Sequence, residues 1–128
     1  MRAAIISQLK TISDFSNRVY QAFIPITTVE TPYCTVKLSG EYPATGNRKG
    51  STIDLQIFIY NKPDSFCTLD ALELQVRKAL HNVSLNIDES PVTRTFACIY
   101  NMTQADFYND ITGLFMKRVD FIIPLSRA

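Results

Sequence analysis

The chain has few of the residues from which recognisable active sites are built. Among 128 residues there is one histidine, His81. The three cysteines, Cys34, Cys67 and Cys98, lie far apart, and none belongs to a Cys-x-x-Cys pair. Structural zinc needs nitrogen and sulfur ligands at short, regular spacings, so no metal site of a familiar kind is expected. Each cysteine stands beside apolar residues and reads as a buried thiol, which leaves His81 without a nucleophile to activate. Three of the four glycines, Gly40, Gly46 and Gly50, fall in one loop, and none opens a helix. This excludes the dinucleotide fingerprint and the P-loop, and no Gly-x-Ser-x-Gly elbow occurs.

Charge of one sign is also missing. Thirteen Lys and Arg against twelve Asp and Glu leave a net charge of +1, without the basic excess of a nucleic-acid-binding face. The acids, among them Asp54, Asp64, Asp70, Glu73, Asp88, Asp106 and Asp120, are scattered as solvated surface carboxylates usually are. No stretch reaches the roughly 20 apolar residues that a membrane-crossing helix requires. The first fifteen residues have their apolar positions interrupted by Ser7, Gln8 and Lys10, unlike a secretory leader. The protein is therefore expected to be neither an enzyme nor a membrane protein, to need no cofactor, and to reside in a cytoplasm.

What is present is a globular composition, 46% hydrophobic and 20% charged. The length suits one domain over residues 1–128. Ile5, Ile6, Leu9 and Ile12 make one apolar stripe, predicting a helix over 2–12. Arg18 to Ala22 reads as a short edge strand. Tyr33 to Ser39 alternates, with Cys34, Val36 and Leu38 on one side, and predicts a half-buried strand. Ser51 to Tyr60 alternates most clearly, with Ile53, Leu55, Ile57 and Ile59 inward and Phe58 and Tyr60 outward. These two strands read as a hairpin around the loop 40–50. Thr68 caps a predicted helix running to Leu80, whose core face is Leu69, Leu72, Val76 and Ala79, with His81 at its end. Residues 82–91 read as a polar connection. Val92 to Met102 reads as one strand, 103–113 as a loop rich in Asp and Asn, and Leu114 to Leu125 as a final strand antiparallel to it.

The predicted fold is α+β: a mainly antiparallel sheet of four to five strands with two helices packed on one face. Such a sheet leaves a second face. Phe58, Tyr60, Phe96 and Tyr100, with the final strand's Phe115 and Phe121, supply more apolar side chains than one helical layer covers. Either a further segment hides the surplus, or copies of the chain shield one another. The second reading is favoured, because exposed apolar area on this scale marks association surfaces.

Several phrases, in order, resemble the tail terminator (tail completion) proteins of tailed bacteriophages. Asn17-Arg18-Val19-Tyr20, a proline-bearing stretch, and Thr31-Pro32-Tyr33 opening a strand are similar to the start of that family. Tyr60-Asn61-Lys62 followed by Leu72 to Leu80 resembles its strand-to-helix segment, and Arg118 to Ile123 its last strand. The resemblance spans most of the chain; the loops 40–50 and 103–113 depart from it. It implies a structural virion protein of the tail-neck junction, assembled in the host cytoplasm. Such a protein forms a ring, generally a hexamer, on the head-proximal end of the tail tube. The ring ends tube polymerisation and joins the tail to the head connector. The implied partners are further copies of the chain, the tail tube protein and the connector or neck protein, with DNA passing nearby in the channel. Subunit-contact candidates are Phe58, Tyr60, Phe115 and Phe121. The loop residues Asn47, Arg48 and Lys49 are candidates for docking onto a neighbour or the tube. Two other readings stand beside this one: a head-completion or neck adaptor protein of related fold, and a small nucleic-acid-binding module. The last is thinly supported, since the aromatic residues share their faces with little positive charge.

Overall fold

The structure, a computed structural model, describes residues 1–22, 30–43, 50–62, 66–89, 92–111 and 113–126. In chain order it contains α1 (Arg2–Leu9), a 3-10 turn (Ser13–Phe15), β1 (Val19–Gln21), β2 (Tyr33–Pro43), β3 (Gly50–Asn61) and α2 (Phe66–Leu80). Then follow β4 (Ser84–Glu89), β5 (Val92–Ala97), β6 (Ile99–Thr103), β7 (Phe107–Asn109) and β8 (Leu114–Ser126). The main sheet runs β1-β2-β3-β8-β6, with β7 also pairing β8, while β4 and β5 form a separate two-stranded ribbon. β1 pairs β2 in parallel; the other pairings are antiparallel. The α+β class is as expected, with one more strand in the main sheet than anticipated.

The alternation of β3 sets the architecture. Leu55, Ile57 and Ile59 are fully buried, and so are Val119, opposite Ile57 on β8, and Ile123, opposite Ile53. α1 contributes Ile5 and Leu9 to this core; α2 contributes Leu69, Leu72, Val76 and Leu80. Both helices thus cover the same face. Each large aliphatic side chain buried there stabilises the fold by roughly 1.5–3 kcal/mol, which is why these stripes decide the helix orientations.

Four expectations change. α1 stops at Leu9, and the chain reverses through Ser16 and Asn17, both at positive φ, yet Ile12 and Phe15 stay buried. The polar connection 82–91 contains β4, whose Leu85 and Ile87 alternate inward between polar neighbours. The single strand 92–102 divides at Cys98. There His81 bridges to Cys98 and the Asn82 N–H donates to the Cys98 carbonyl at 2.9 Å, so β5 leaves the main sheet to pair with β4. The loop 103–113 contains β7, which extends the sheet along the first residues of β8.

The sequence also misplaced three aromatic side chains. Phe121 has the parity of Val119 and Ile123, is 1% exposed, and meets Tyr100 edge-on at 6.0 Å. It is a core residue and offers nothing to a neighbour. Phe96 is buried as well, and Tyr100 packs against the same core. The apolar surplus is therefore smaller than the pattern implied.

Candidate interaction surface

On the sheet face away from the helices, β3 presents Asp54, Gln56, Phe58 and Tyr60, registered against Ile122, Asp120, Arg118 and Met116 of β8. At one end three tyrosines gather. Tyr33 stacks on Tyr60 with centroids 4.8 Å apart and planes 16° apart, and Tyr20 meets Tyr33 edge-on at 6.2 Å. Burial pushes the Tyr33 hydroxyl above its ordinary pKa, and the neighbouring Tyr60 and Tyr20 add to the rise. Burial raises Tyr60 too, opposed by its hydrogen bond with Thr35.

Beyond Phe58 lies a groove of about 300 Å³ lined by Phe58, Met116, Phe107, Gln104 and Arg118. Arg118 ion-pairs with Asp120 at 3.0 Å, and the Gln104 N–H donates to the Arg118 carbonyl at 2.8 Å. The second of these contacts, with the Gln104 side-chain amide donating to Asp120 at 3.4 Å, holds Gln104 against β8. From there the chain carries large apolar side chains into solvent: Phe107 is 52%, Tyr108 48% and Ile111 97% exposed. Met102 joins them from β6. Half-exposed aromatics on a short strand resemble the anchors of association surfaces more than they resemble ordinary surface residues.

Two polar clusters fix this region to α2. Lys117 projects to the helix side and pairs with Asp70 of α2 and, at 3.0 Å, with Asp106 ahead of β7. Desolvation works to lower its pKa, but the two carboxylates outweigh it and the net direction is upward. Glu73, 5% exposed, accepts from Thr103 at 2.7 Å and from Arg77 one turn along the helix. The Arg77 guanidinium lies 4.1 Å above the Tyr100 ring, whose hydroxyl is 2.6 Å from Thr103. A buried carboxylate is stable only with such partners.

The sequence-predicted contact residues fall in different places. Phe58 and Tyr60 share the open face and are half-buried there. Phe115 is on the helix side, stacked on Phe66 at 4.0 Å and meeting Tyr108 edge-on at 6.0 Å. Asn47, Arg48 and Lys49 lie outside the described residues. Sequence reasoning missed Phe107, Tyr108 and Ile111, hidden among Asp and Asn; the adjacent Phe-Tyr pair was the available signal. His81 stands at the end of α2, where its Nδ1 accepts from the Tyr100 N–H at 2.9 Å and ties the helix to β6. Cys34 and Cys98 are buried, and burial pushes the Cys98 thiol up to about 12. Cys67 corrects the sequence reading, being exposed in the first turn of α2. Among the described residues, no group of three or more His, Cys, Asp or Glu is placed to hold a metal, and no helix is long and apolar enough to cross a membrane.

No protein-family model matches the sequence. No curated protein matches it either. Among solved structures, the chain is similar to one described as the virion of a native gene transfer agent particle. The TM-score is 0.69 and the identity 18%, over 98% of this chain and 92% of that one. At that identity the likeness is one of fold, and it extends over nearly the whole chain.

Proposed function

We propose that the chain is a structural virion protein that forms a ring capping the tail tube, ends tube polymerisation and joins the tail to the head connector. The observation that carries this reading is the end-to-end fold likeness to a component of a gene transfer agent virion. It is supported by the ordered phrases from Asn17 to Ile123 that resemble tail terminators. The half-exposed aromatics of β7 fit the reading, because ring subunits need apolar contacts that a lone chain leaves open. The function is mechanical: a closed ring offers one surface to the tube and another to the neck, and it requires no bond chemistry.

The test is disruption of the coding sequence in the particle that carries it, followed by electron microscopy. The proposal expects tails of irregular, extended length, unattached to filled heads, and restoration when the protein is supplied. Tails of normal length that fail only to attach would replace this reading with a neck adaptor. Intact particles would overturn both.

A further inference from the structure

The main sheet and the β4–β5 ribbon part at one point of the β8 ladder. β6 pairs β8 with Tyr100 opposite Phe121 and Ile99 opposite Ile122. The same register carried further would set Cys98 opposite Ile123 and Ala97 opposite Pro124. Instead the ladder stops at Ile99, and Ala97 pairs with Ser84 of β4. Backbone direction shows which β8 residues face β6. The Tyr100 N–H points away from β8, to His81 Nδ1, so Tyr100 and Phe121 form a pair without mutual hydrogen bonds. The Arg118 carbonyl, by contrast, accepts from the Gln104 N–H on the β6 side. Such directions alternate along a strand, so Arg118, Asp120, Ile122 and Pro124 turn their backbone groups towards β6. Of these, only Pro124 has no N–H to give. On the β3 side nothing is lost, because Thr52 and Pro124 are by the same parity a pair without mutual hydrogen bonds. That is the placement in which a strand tolerates proline.

We infer that Pro124 divides the sheet, and so makes the β4–β5 ribbon a unit that opens separately from the main sheet. It withholds the hydrogen bond that would carry the β6 ladder on into β5. The contacts of His81 and Asn82 with Cys98 and Tyr100 lie on the other side of β6, and from there the chain runs on into β4. They join the ribbon to the body at its root; Pro124 leaves its flank unattached. The ribbon is thereby free to turn Leu85, Ile87 and Phe96 into the core, where β4 meets α1. With an N–H at position 124, β4, β5 and β6 would continue one sheet with β8. This device goes beyond the ring reading and does not depend on it.

The test is amide hydrogen exchange in the full chain, read by NMR. Pro124→Val and Pro124→Ala both restore an N–H, and Pro124 is exposed, so neither change empties the core. In the unmodified protein the amides of β4 and β5 should exchange faster than those of β3 and β8. In both variants the new amide at position 124 should exchange roughly a hundredfold more slowly than an unstructured one. The Ala97 amide should slow about tenfold, with a cross-strand contact between residues 97 and 124. Fast exchange at position 124 in both variants, without that contact, would overturn the proposal and leave the contacts at Cys98 and Tyr100 as the whole cause. Protection in Pro124→Val alone would place the effect in side-chain packing and overturn it as well. So would protection that appears only as protein concentration rises, since position 124 would then be pairing with a second copy.

Discussion

Glu73 of α2 and Thr103 of β6, thirty residues apart, meet in a 2.7 Å hydrogen bond from the threonine hydroxyl to a buried carboxylate oxygen. Arg77 and Tyr100 complete the cluster from the same two elements. Removing one partner of a buried charged hydrogen bond leaves the other unsatisfied, at a cost of about 1–3 kcal/mol. Glu73→Ala is therefore expected to destabilise the chain by about 2–3 kcal/mol and Thr103→Val by about 1–2. In urea unfolding, the double variant should lose less than the sum, because the two act through one contact. Additive losses would mean that the contact carries no stability.

The two sheet faces predict opposite behaviour for two phenylalanines. Phe121→Ala empties a core position and should cost about 3–5 kcal/mol in the isolated chain. Phe58→Ala, half-buried on the open face, should cost clearly less in the same unfolding assay. Its effect should be on assembly, read as reduced joining of purified tails to heads. Equal destabilisation by both variants would show that the open face is part of the core.

Thiol chemistry tests the burial pattern. A bulky aromatic disulfide reagent should modify one thiol per native chain, at Cys67, and all three cysteines after denaturation. The thiolate is the reactive form, and burial holds both Cys34 and Cys98 as thiols, Cys98 up to about 12. Peptide mapping that finds Cys34 or Cys98 labelled in the native protein would contradict the fold.

Alkaline pH should unfold the protein, for two reasons of the same sign. The raised folded pKa of Lys117 means that its ion pairs contribute fully below its ordinary value of 10.5 and are lost as pH rises through the raised one. Burial raises Tyr33 and Tyr60 above their ordinary 10.0, so the unfolded chain releases those protons first and stability falls above that pH. The urea midpoint should hold from about pH 7 to about 9 and decline above about 10. Tyr33→Phe with Tyr60→Phe should flatten part of that decline. An unchanged slope would remove the tyrosines from the account.

Arg48→Ala with Lys49→Ala probes the segment between β2 and β3, which lies outside the described residues. The expected result is an unchanged melting temperature and weakened tail joining. A normal yield of particles from that double variant would exclude a docking role for Arg48 and Lys49.

Elements with a strong local pattern were legible in the chain alone. The period-two run of β3 and the stripe Leu69, Leu72, Val76 put those residues in the core, because burial is favoured wherever every turn or pleat presents the same apolar side. The poverty of reactive groups was equally plain from the residues. Long-range packing settled the remainder. β4 is too polar, and β7 at three residues too short, for their alternation to stand out; they become strands because partner edges supply backbone hydrogen bonds. Phe121 and Phe58 look alike in the chain, and only the placement of both helices on one face made one of them core and left the other half-open. Phe107, Tyr108 and Ile111 became surface features when Gln104 was tied to Arg118 and Asp120, and Asp106 to Lys117, along β8. Those are contacts between distant segments, and no local pattern encodes them.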